Sequence, residues 1–477
     1  MSVTITLFAL SRHLEGLGDV GSDTVAYRRL AKGLKALILD GRLPIDARLP
    51  GERSLAQALG VSRITVSAAM DRLRDEGFLV SRVGSGTYTA LPVQRGAAPE
   101  GLFHLDAAPG VINMATAVLP AGAPVHQAFA KAIETLPLLL PGHGYDPVGL
   151  LALRAAAAER MSQAGLASDP EQFVITAGAQ NGWSLVLRAL GRPGESVIID
   201  HPTYPHAMEA VLRAGLRPVP VALGEDGWDV ETMIRTLRRV RPRLVYLIGA
   251  HQNPTGHVLS TEDEARIIAE AETVGAVVVF DDTQRELWFD RPPPPPGGGA
   301  NVIRLGSMSK SWWGGLRVGW VRATGQWREA IIKARASMDL GVAVMDQLAS
   351  AHLLLGDQAA LAERRVELKA RESALATALQ DRLPDWRFRR PAGGLSLWVA
   401  LPGRSARPLV EAARGRNLML AEGTRFGLDG AFERFLRLPY CLPEADLVAV
   451  VETLAELWAG LDKAPARRSR IDAPDVF

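Results

Sequence analysis

Five short apolar runs alternate with stretches of helical periodicity, and this alternation limits the possible folds more than any other feature. The runs occupy residues 173–176, 196–200, 244–248, 276–280 and 301–305. Strands that are apolar along their length and separated by helices predict a mostly parallel sheet with both faces covered. Helical patterns dominate from about residue 330, with a strand region at 388–401. We therefore expect a smaller α+β subdomain, mainly over residues 330–477.

The length of the chain requires more than one domain. With 477 residues, 47% of them hydrophobic, it exceeds the size of a single ordinary core. The net charge is only +2, but residues 1–90 contain 12 Lys and Arg against 9 Asp and Glu. A mild basic excess at the front is consistent with a module that binds nucleic acid.

Cysteine usage and hydropathy indicate a cytoplasmic protein. The single cysteine, Cys441, excludes an intramolecular disulfide framework, and no Cys/His cluster has zinc spacing, so we expect no metal site. No apolar run approaches the roughly 18 residues that a membrane span needs. Residues 1–10 lack the basic start of a signal peptide.

Residues 24–90 predict three helices followed by a hairpin. Apolar residues recur at helical spacing from Tyr27 until Gly41, and a second helix fits residues 54–59. A third begins after Ser62 as N-cap. Two strand-like runs then flank a glycine turn at Gly84. Three helices and a hairpin form a winged helix-turn-helix, an α+β domain.

In this fold the second helix of the motif enters the DNA major groove, so its first turn must carry small polar and basic side chains. Ser62, Arg63 and Thr65 meet that requirement. Arg53 is placed to reach a phosphate or a guanine edge, and Gly84 allows close approach to the minor groove. Each of these residues alone is equally compatible with a solvated helix face.

The combined pattern resembles the DNA-binding domain of the GntR family of bacterial transcription regulators. It consists of segments 48–56, 61–66, 73–77 and 84–87 in this order. The resemblance covers about residues 26–89 and implies a double-stranded DNA operator as partner. Residues 91–110, rich in proline and glycine and without periodicity, predict an interdomain linker. We also expect a short helix at 7–17 and an exposed insertion at the proline run 292–296.

Residues 307–317 combine groups that would suit pyridoxal phosphate. This cofactor needs a lysine amine for its aldehyde and donors for its phosphate. Lys310 follows the apolar run 301–305, and Ser307, Ser309 and Arg317 can converge on a phosphate. Residues Gly178, Ala179 and Gln180, between a strand and a helix, would offer backbone N–H groups to the same phosphate.

Further candidates suit the ring and the substrate. Asp281 ends the run 276–280 and could keep the pyridine nitrogen protonated, while Asn253 could donate to the ring oxygen. Tyr204 could stack on the ring, and Arg437 could pair with a carboxylate. Taken singly, Lys310 could be a surface charge, Asp281 a helix cap and Arg437 an ordinary ion-pair partner.

In order, the motifs at residues 145–154, 178–180, 202–205, 253–256, 281 and 307–317 resemble the fold-type I, class I aminotransferases, from about residue 111 to 477. The resemblance implies that Lys310 forms the internal aldimine of pyridoxal 5′-phosphate. It also implies that Tyr145 reaches the phosphate of a partner subunit in a homodimer. Two residues after Asp281, where a tyrosine is expected, this chain has Thr283. Efficient turnover is therefore questionable.

A GntR-type DNA-binding domain joined to an aminotransferase-like domain resembles the MocR subfamily of transcription regulators. This implies a dimeric transcription regulator, possibly domain-swapped, in which an amino compound or pyridoxal phosphate itself acts through Lys310. The first alternative is an active aminotransferase with an accessory DNA-binding domain. The second is a scaffold that never binds the cofactor.

Overall fold

The computed structural model of the chain describes residues 23–39, 43, 47–82, 85–90, 110–356, 358–403 and 405–463. The helix predicted at 7–17, the glycine Gly84 and all but the last residue of the predicted linker lie outside the described residues. In the part that is described, no helix is both long and apolar enough to cross a membrane.

The N-terminal module is a winged helix-turn-helix, as predicted. Its elements are α1 (Asp23–Leu39), α2 (Glu52–Leu59), α3 (Arg63–Asp75), β1 (Leu79–Arg82) and β2 (Gly86–Thr89). The strands β1 and β2 form an antiparallel hairpin, with Leu79 opposite Thr89. Gly60 ends α2 in the left-handed region at φ 64°, which glycine adopts without steric cost.

One apolar core holds these helices together. Leu34 and Ile38 of α1 are fully buried against Val66, Met70 and Leu73 of α3. The helical spacing of 3 and 4 residues places these side chains on one face of each helix. Because burying each such side chain contributes roughly 1.5–3 kcal/mol, this face fixes how α3 is presented.

The large domain is built on an eight-stranded sheet. Its strands are β4 (Phe173–Thr176), β5 (Ser196–His201), β6 (Arg217–Gly224), β7 (Gly227–Trp228), β8 (Leu244–Leu247), β9 (Val277–Asp281), β10 (Val302–Ser307) and β11 (Gly319–Arg322). Their order is β4-β11-β10-β9-β8-β5-β6-β7. Only β11 and β7 run antiparallel to their neighbours. All five predicted apolar runs are strands of this sheet, so the fold prediction is confirmed.

Helices cover both faces of the sheet. They are α4 (Ala123–Thr135), α5 (Leu151–Gln163), α6 (Ala179–Leu190), α7 (Pro205–Arg213), α8 (Val230–Val240), α9 (Thr261–Thr273), α10 (Met308–Ser311), α11 (Gly325–Arg335) and α12 (Val344–Leu355). The core of one face includes Trp183 and Tyr246, and that of the other includes Met233 and Phe280. Parallel strands buried on both faces explain why the runs lack the alternation of a half-exposed strand.

The small subdomain contains a second sheet of five strands. Its elements are β3 (Ile112–Met114), α13 (Ala359–Arg382), β12 (Arg387–Phe388), β13 (Ser396–Ala400), α14 (Arg407–Arg414), β14 (Leu418–Glu422), β15 (Phe435–Pro439) and α15 (Glu444–Lys463). The strand order is β12-β13-β15-β14-β3. The edge strand β3 pairs in parallel with β14 and comes from the start of the domain, more than two hundred residues before the predicted subdomain.

The proline run 292–296 is only partly the exposed insertion that the sequence suggested, since Pro292 and Pro295 are exposed but the end of the run is not. Pro296 is buried, and Gly297 donates its backbone N–H to Glu264 Oε1 at 2.5 Å. Glu264 also pairs with the fully buried Arg304, which binds Asp282 Oδ2 at 2.9 Å. The end of the run is fixed in place because Gly297, which follows it, hydrogen-bonds to the buried charged groups of Glu264 and Arg304. Composition alone does not reveal this requirement.

Candidate functional site

The first turn of α3 is the part of the N-terminal module best placed to contact DNA. Arg63 lies there with its side chain 73% exposed, and Arg53, near the start of α2, is exposed as well. Ile64, which lies between Arg63 and Thr65, is 81% exposed. Sequence analysis did not select it as a candidate DNA contact. An apolar side chain at this position suits the methyl group of thymine in the major groove.

Thr65 does not present its side chain as predicted. It is only 3% exposed, and its Oγ1 lies 2.8 Å from Ser62 Oγ. Ser62 Oγ in turn accepts the backbone N–H of Thr65 at 3.1 Å. The Ser62 hydroxyl therefore caps α3, because a helix start leaves backbone N–H groups without intrahelical partners, and the Thr65 hydroxyl contacts this cap. The prediction that Thr65 contacts DNA directly is wrong; Ser62 remains exposed.

In the large domain, the predicted cofactor residues gather at the carboxyl ends of neighbouring strands. Asp281 ends β9, and Ser307 ends β10 and serves as N-cap of α10, which carries Lys310. Thr176 ends β4, which leads through Gly178 into α6. Open parallel sheets bind ligands at this edge.

Lys310 is half-buried beside these residues. Its Nζ donates to the backbone oxygen of Ala117 at 3.0 Å. Burial lowers the pKa of Lys310, and the positive charge of Arg437 lowers it further, while Asp281 acts in the opposite direction. A lowered pKa increases the fraction of neutral amine, which is the form that attacks a carbonyl carbon.

The start of α6 and Arg317 form a cradle for an anion. Gly178 is the N-cap of α6 with φ 89°, and no described side chain caps this helix. A Cβ atom at Gly178 would lie 3.3 Å from the Arg317 guanidinium, which donates to Ala177 O at 2.8 Å. Free N–H groups at a helix start next to a guanidinium suit a phosphate. Gln180 contributes backbone only, since its Nε2 donates to His206 O at 3.1 Å.

Ser307 and Ser309 lie beside this cradle. Ser307 Oγ accepts the backbone N–H of Ser309 at 3.2 Å and lies 3.0 Å from Ser309 Oγ. Ser309 is half-buried, whereas Ser307 is 7% exposed. These bonds fix the turn that presents Lys310.

Asp281 is a buried carboxylate with two donors. Its Oδ2 accepts from Tyr246 Oη at 2.7 Å, and its Oδ1 accepts from the backbone N–H of Thr283 at 3.0 Å. Burial raises the pKa of Asp281, although both hydrogen bonds favour its ionised form. A buried carboxylate of this kind is stabilised by a cation, such as a protonated ring nitrogen.

Tyr204 and Asn253 lie on neighbouring connections. Tyr204 immediately precedes α7, and burial, together with the charge of Asp281, raises the pKa of its phenol to about 12. The phenol is therefore neutral and available for stacking or donating. Asn253 is half-buried in the turn after β8. Gln252 holds that turn, since its Nε2 donates to Pro202 O at 2.7 Å.

Arg437, on β15, faces the cluster from the small subdomain. It is 6% exposed and donates through Nη2 to the backbone oxygen of Ala115. Its Nε has no partner among the described residues, and burial lowers the pKa of the guanidinium to about 10. A buried guanidinium with an unused donor is suited to a carboxylate ligand.

Two further positions and the distribution of metal-ligating side chains bear on the predictions. Tyr145 is 64% exposed, stacked on His143 with ring centroids 6.0 Å apart. Thr283 lines a cavity of about 700 Å³ whose wall includes Trp320 but neither Lys310 nor Asp281. Within the described ranges, no group of three or more His, Cys, Asp or Glu side chains could hold a metal ion.

Comparison with known families gives the following matches. Residues 119–454 match the model "Aminotransferase class I and II", and residues 26–89 match "Bacterial regulatory proteins, gntR family". The chain belongs to the class I and II aminotransferase family. This aminotransferase domain follows a GntR-type domain, the arrangement that we expected from the MocR subfamily.

Individual proteins similar to this chain include enzymes and regulators. The chain is 32% identical to a 2-aminoadipate transaminase of Thermus thermophilus over 73% of this chain and 90% of that protein. It is 28% identical to the HTH-type transcriptional regulator YdcR of Escherichia coli, over 86% and 94%. It is 31% identical to the probable rhizopine catabolism regulatory protein MocR of Rhizobium meliloti, over 64% and 66%.

A solved structure supports the same assignment. LysN, the α-aminoadipate aminotransferase of Thermus thermophilus complexed with N-(5′-phosphopyridoxyl)-L-leucine, has a TM-score of 0.68 and 30% identity, and the match covers 74% of this chain and 93% of that one. The fold-type I prediction for this aminotransferase domain is therefore confirmed.

Sequence analysis missed several side chains that shape the aminotransferase site. Tyr246 was hidden in an apolar run, where its hydroxyl was the only polar group. Asp200 is fully buried and accepts from Trp228 Nε1 at 2.7 Å and Ile248 N at 2.9 Å. Arg364 donates to Ser311 O and Trp312 O, at the end of the helix that carries Lys310. Of these residues only Asp200 could have been noticed in the sequence, because it is the one acidic residue in the apolar run 196–200.

Proposed function

We propose that this chain is a DNA-binding transcription regulator whose aminotransferase domain holds pyridoxal 5′-phosphate at Lys310 and senses an amino compound there. The observation that carries the proposal is geometric. Lys310 follows Ser307 at the carboxyl end of β10, next to Asp281 at the end of β9, and the Arg317 guanidinium faces the start of α6. This arrangement occurs in a chain that begins with a winged helix-turn-helix. A cofactor site in the same chain as a DNA-binding domain favours a function in which a ligand regulates DNA binding.

The residues present fit the cofactor. The α6 start and Arg317 offer donors for a phosphate, and Gly178 leaves the space that a Cβ atom would fill. Asp281 would pair with the ring nitrogen, and Asn253 and Tyr204 would contact the ring. When bound, pyridoxal phosphate supplies an aldehyde carbon that exchanges one amine for another. Lys310 would hold it covalently.

We propose an α-amino acid as the effector. Its amino group would compete with Lys310 for the cofactor, and its carboxylate would take the free Nε and the Nη2 of Arg437. The similarity to a 2-aminoadipate transaminase supports an amino acid of this size. Pyridoxal phosphate alone, acting as its own effector, is the other outcome of the test.

We propose that the regulator is a homodimer in which the two subunits exchange their DNA-binding modules, referred to as heads. The exposed Tyr145 supports this, because an aromatic side chain that is 64% accessible suits an interface. An effector can shift the arrangement of two DNA-binding heads only if its affinity differs between the two arrangements. The site of action is the cytoplasm.

The test combines absorbance with DNA binding. Purified protein is loaded with pyridoxal phosphate, titrated with L-2-aminoadipate, and followed by visible absorbance and by affinity for a duplex that the protein selects from random-sequence DNA. We expect both signals to change together and to be absent in Lys310→Ala. A colourless wild-type protein after loading would refute the proposal and favour a cofactor-free scaffold.

A second candidate is transamination, favoured by the intact set of Lys310, Asp281 and Arg437 and by the similarity to a transaminase. Incubation with an amino donor and a keto acid distinguishes the two functions. Multiple turnovers above the rate of free cofactor would establish an enzyme. A single half-reaction would leave the regulator.

A further inference from the structure

Residues 115–122 connect the edge strand β3 to helix α4, and we name the first six of them, 115–120, the coupling segment. Three of their backbone oxygens accept hydrogen bonds from cationic side chains. Ala115 O accepts from Arg437 Nη2, Ala117 O from Lys310 Nζ at 3.0 Å, and Pro120 O from Arg364 Nη2 at 3.1 Å. Such a density of cationic donors on one short segment is not needed merely to join two elements.

Two of these three donors are the groups assigned above to the cofactor and the effector. Covalent attachment of Lys310 to the aldehyde of the cofactor would join its nitrogen to carbon by a double bond, and two hydrogens of its ammonium would leave with the aldehyde oxygen as water. Lys310 would then no longer offer the coupling segment a three-donor ammonium. A carboxylate on Arg437 would likewise replace Ala115 O, since a charged acceptor binds a guanidinium more strongly than a neutral one.

Cofactor and effector would act on the two contacts at different stages. Loading with cofactor would take Lys310 away from Ala117. An amino acid that displaced Lys310 from the cofactor would return the amine to that position, while its carboxylate would take Arg437 away from Ala115. The coupling segment would therefore have a different set of contacts in the free, cofactor-bound and effector-bound protein.

Arg364 supplies the fixed point of this arrangement. Its Nη1 donates to Ser311 O at 2.8 Å and to Trp312 O at 2.7 Å, at the end of α10, while its Nη2 holds Pro120 O. One guanidinium thus joins the helix that carries Lys310 to the coupling segment. Leu119, 5% exposed in the apolar core, provides a second anchor.

At its other end the coupling segment continues into β3, which pairs with β14 through Ile112 opposite Leu418. The residues before β3 are those of the predicted linker to the DNA-binding module. We propose that ligands at Lys310 and Arg437 act on the DNA-binding module through the coupling segment, with Arg364 as the positioning residue that holds it against α10. This inference rests on the proposed function.

The experiment uses the full chain and compares Arg364→Gln with Arg365→Gln. Arg365 is the adjacent residue on α13 and also binds a backbone oxygen, Glu286 O at 2.7 Å, but its guanidinium lies 3.9 Å over Trp288, away from the coupling segment. Each protein is loaded with pyridoxal phosphate and then given L-2-aminoadipate. The readouts are visible absorbance and its pH titration, amide hydrogen exchange of residues 111–122, and affinity for the selected duplex.

In the wild-type protein we expect amide exchange in the segment to change on loading and again with the amino acid. We expect duplex affinity to change by about 5- to 150-fold, the usual range for coupled sites. Arg364→Gln should retain visible absorbance with a displaced pH midpoint, show faster exchange before any ligand is added, and lose the effect on duplex affinity. Arg364→Lys should restore part of that effect, and Arg365→Gln should behave as wild type.

Leu119→Ala provides a second route if Arg364→Gln does not fold, because it removes the other anchor without touching α10. Loss of the ligand effect in Leu119→Ala, with absorbance retained, supports the inference. Unchanged ligand effects in both variants, or segment exchange that ignores both ligands in the wild-type protein, would overturn it and leave the proposed function standing. Absence of visible absorbance in the loaded wild-type protein would refute the proposed function, and this inference with it.

Discussion

Tyr246→Phe tests whether Asp281 is held ready for a cationic ring. The substitution removes one oxygen, which donates to Asp281 Oδ2 at 2.7 Å, and leaves a ring of nearly the same shape. The phenylalanine ring can keep the packing of Tyr246 against Trp183, whose ring centroid lies 4.8 Å away. Both Tyr246 and Asp281 are buried, so water does not replace the lost donor.

The expected magnitude follows from that hydrogen bond. A bond to a charged group contributes about 1.5–3 kcal/mol, which corresponds to a factor of about 10 to 150 in affinity. Asp281 keeps the backbone N–H of Thr283 on its other oxygen, so we expect the lower end, about a 10-fold weaker affinity for pyridoxal phosphate. The pKa of Asp281 should rise, because the lost bond favoured its ionised form.

The assay is a titration of the apoprotein with pyridoxal phosphate, followed by visible absorbance. Tyr440→Phe is the matched control, since Tyr440 is also fully buried and donates through its hydroxyl, to Gly393 O at 3.0 Å. It should lose about 1 kcal/mol of folding free energy without a change in cofactor affinity. Equal affinities of Tyr246→Phe and wild type, or equal losses in both variants, would refute the role given to Asp281.

Three other predictions concern separate parts of the chain. Arg53→Ala and Arg63→Ala should weaken binding to the selected duplex, with absorbance of the bound cofactor unchanged. The slope of log affinity against log salt concentration should become shallower by about 0.9 for each lost phosphate contact. Unaltered affinity in both variants would show that the DNA-binding surface lies elsewhere. Lys310→Ala should abolish the visible absorbance while leaving thermal stability of the N-terminal module intact. Burial raises the pKa of Asp200 to about 7, so the stability that its protonation contributes is complete below the usual carboxylate pKa and is lost as pH rises through 7. The melting temperature of wild type relative to Asp200→Asn should therefore fall from pH 5 to pH 8, and parallel curves would contradict this.

The features that local patterns determine were predictable from the sequence. Short apolar runs that alternate with helical stretches are typical of strands buried on both faces, and each of the five runs is a strand. The placement of Asp281 and Lys310 followed too, because the carboxyl ends of parallel strands meet at one edge of the sheet. The role of Ser62 as N-cap followed as well, because serine is a preferred residue at a helix start, whereas its contact with the Thr65 hydroxyl was not predicted.

Features that depend on tertiary contacts were not predictable. Tyr246 lies in an apolar run, and only the neighbouring strand β9 brings its hydroxyl to Asp281. The burial of Pro296 at the end of the proline run was missed because composition does not show that Gly297 and Arg304 share Glu264. Strand β3 is three residues long, and its partner β14 lies about three hundred residues further along the chain. Each case needed a partner that sequence proximity does not indicate.

The coupling segment is the extreme case of this limit. Its three acceptors are backbone oxygens, which every residue has, and their donors lie 193, 244 and 322 residues away. No pattern of side chains could mark it. The arrangement also restricts how a ligand can act, because an effector that leaves the contacts of Lys310 and Arg437 unchanged has no differential affinity to contribute. An amine without a carboxylate would change only the contact at Ala117, and its effect on the heads should therefore be smaller than that of an amino acid.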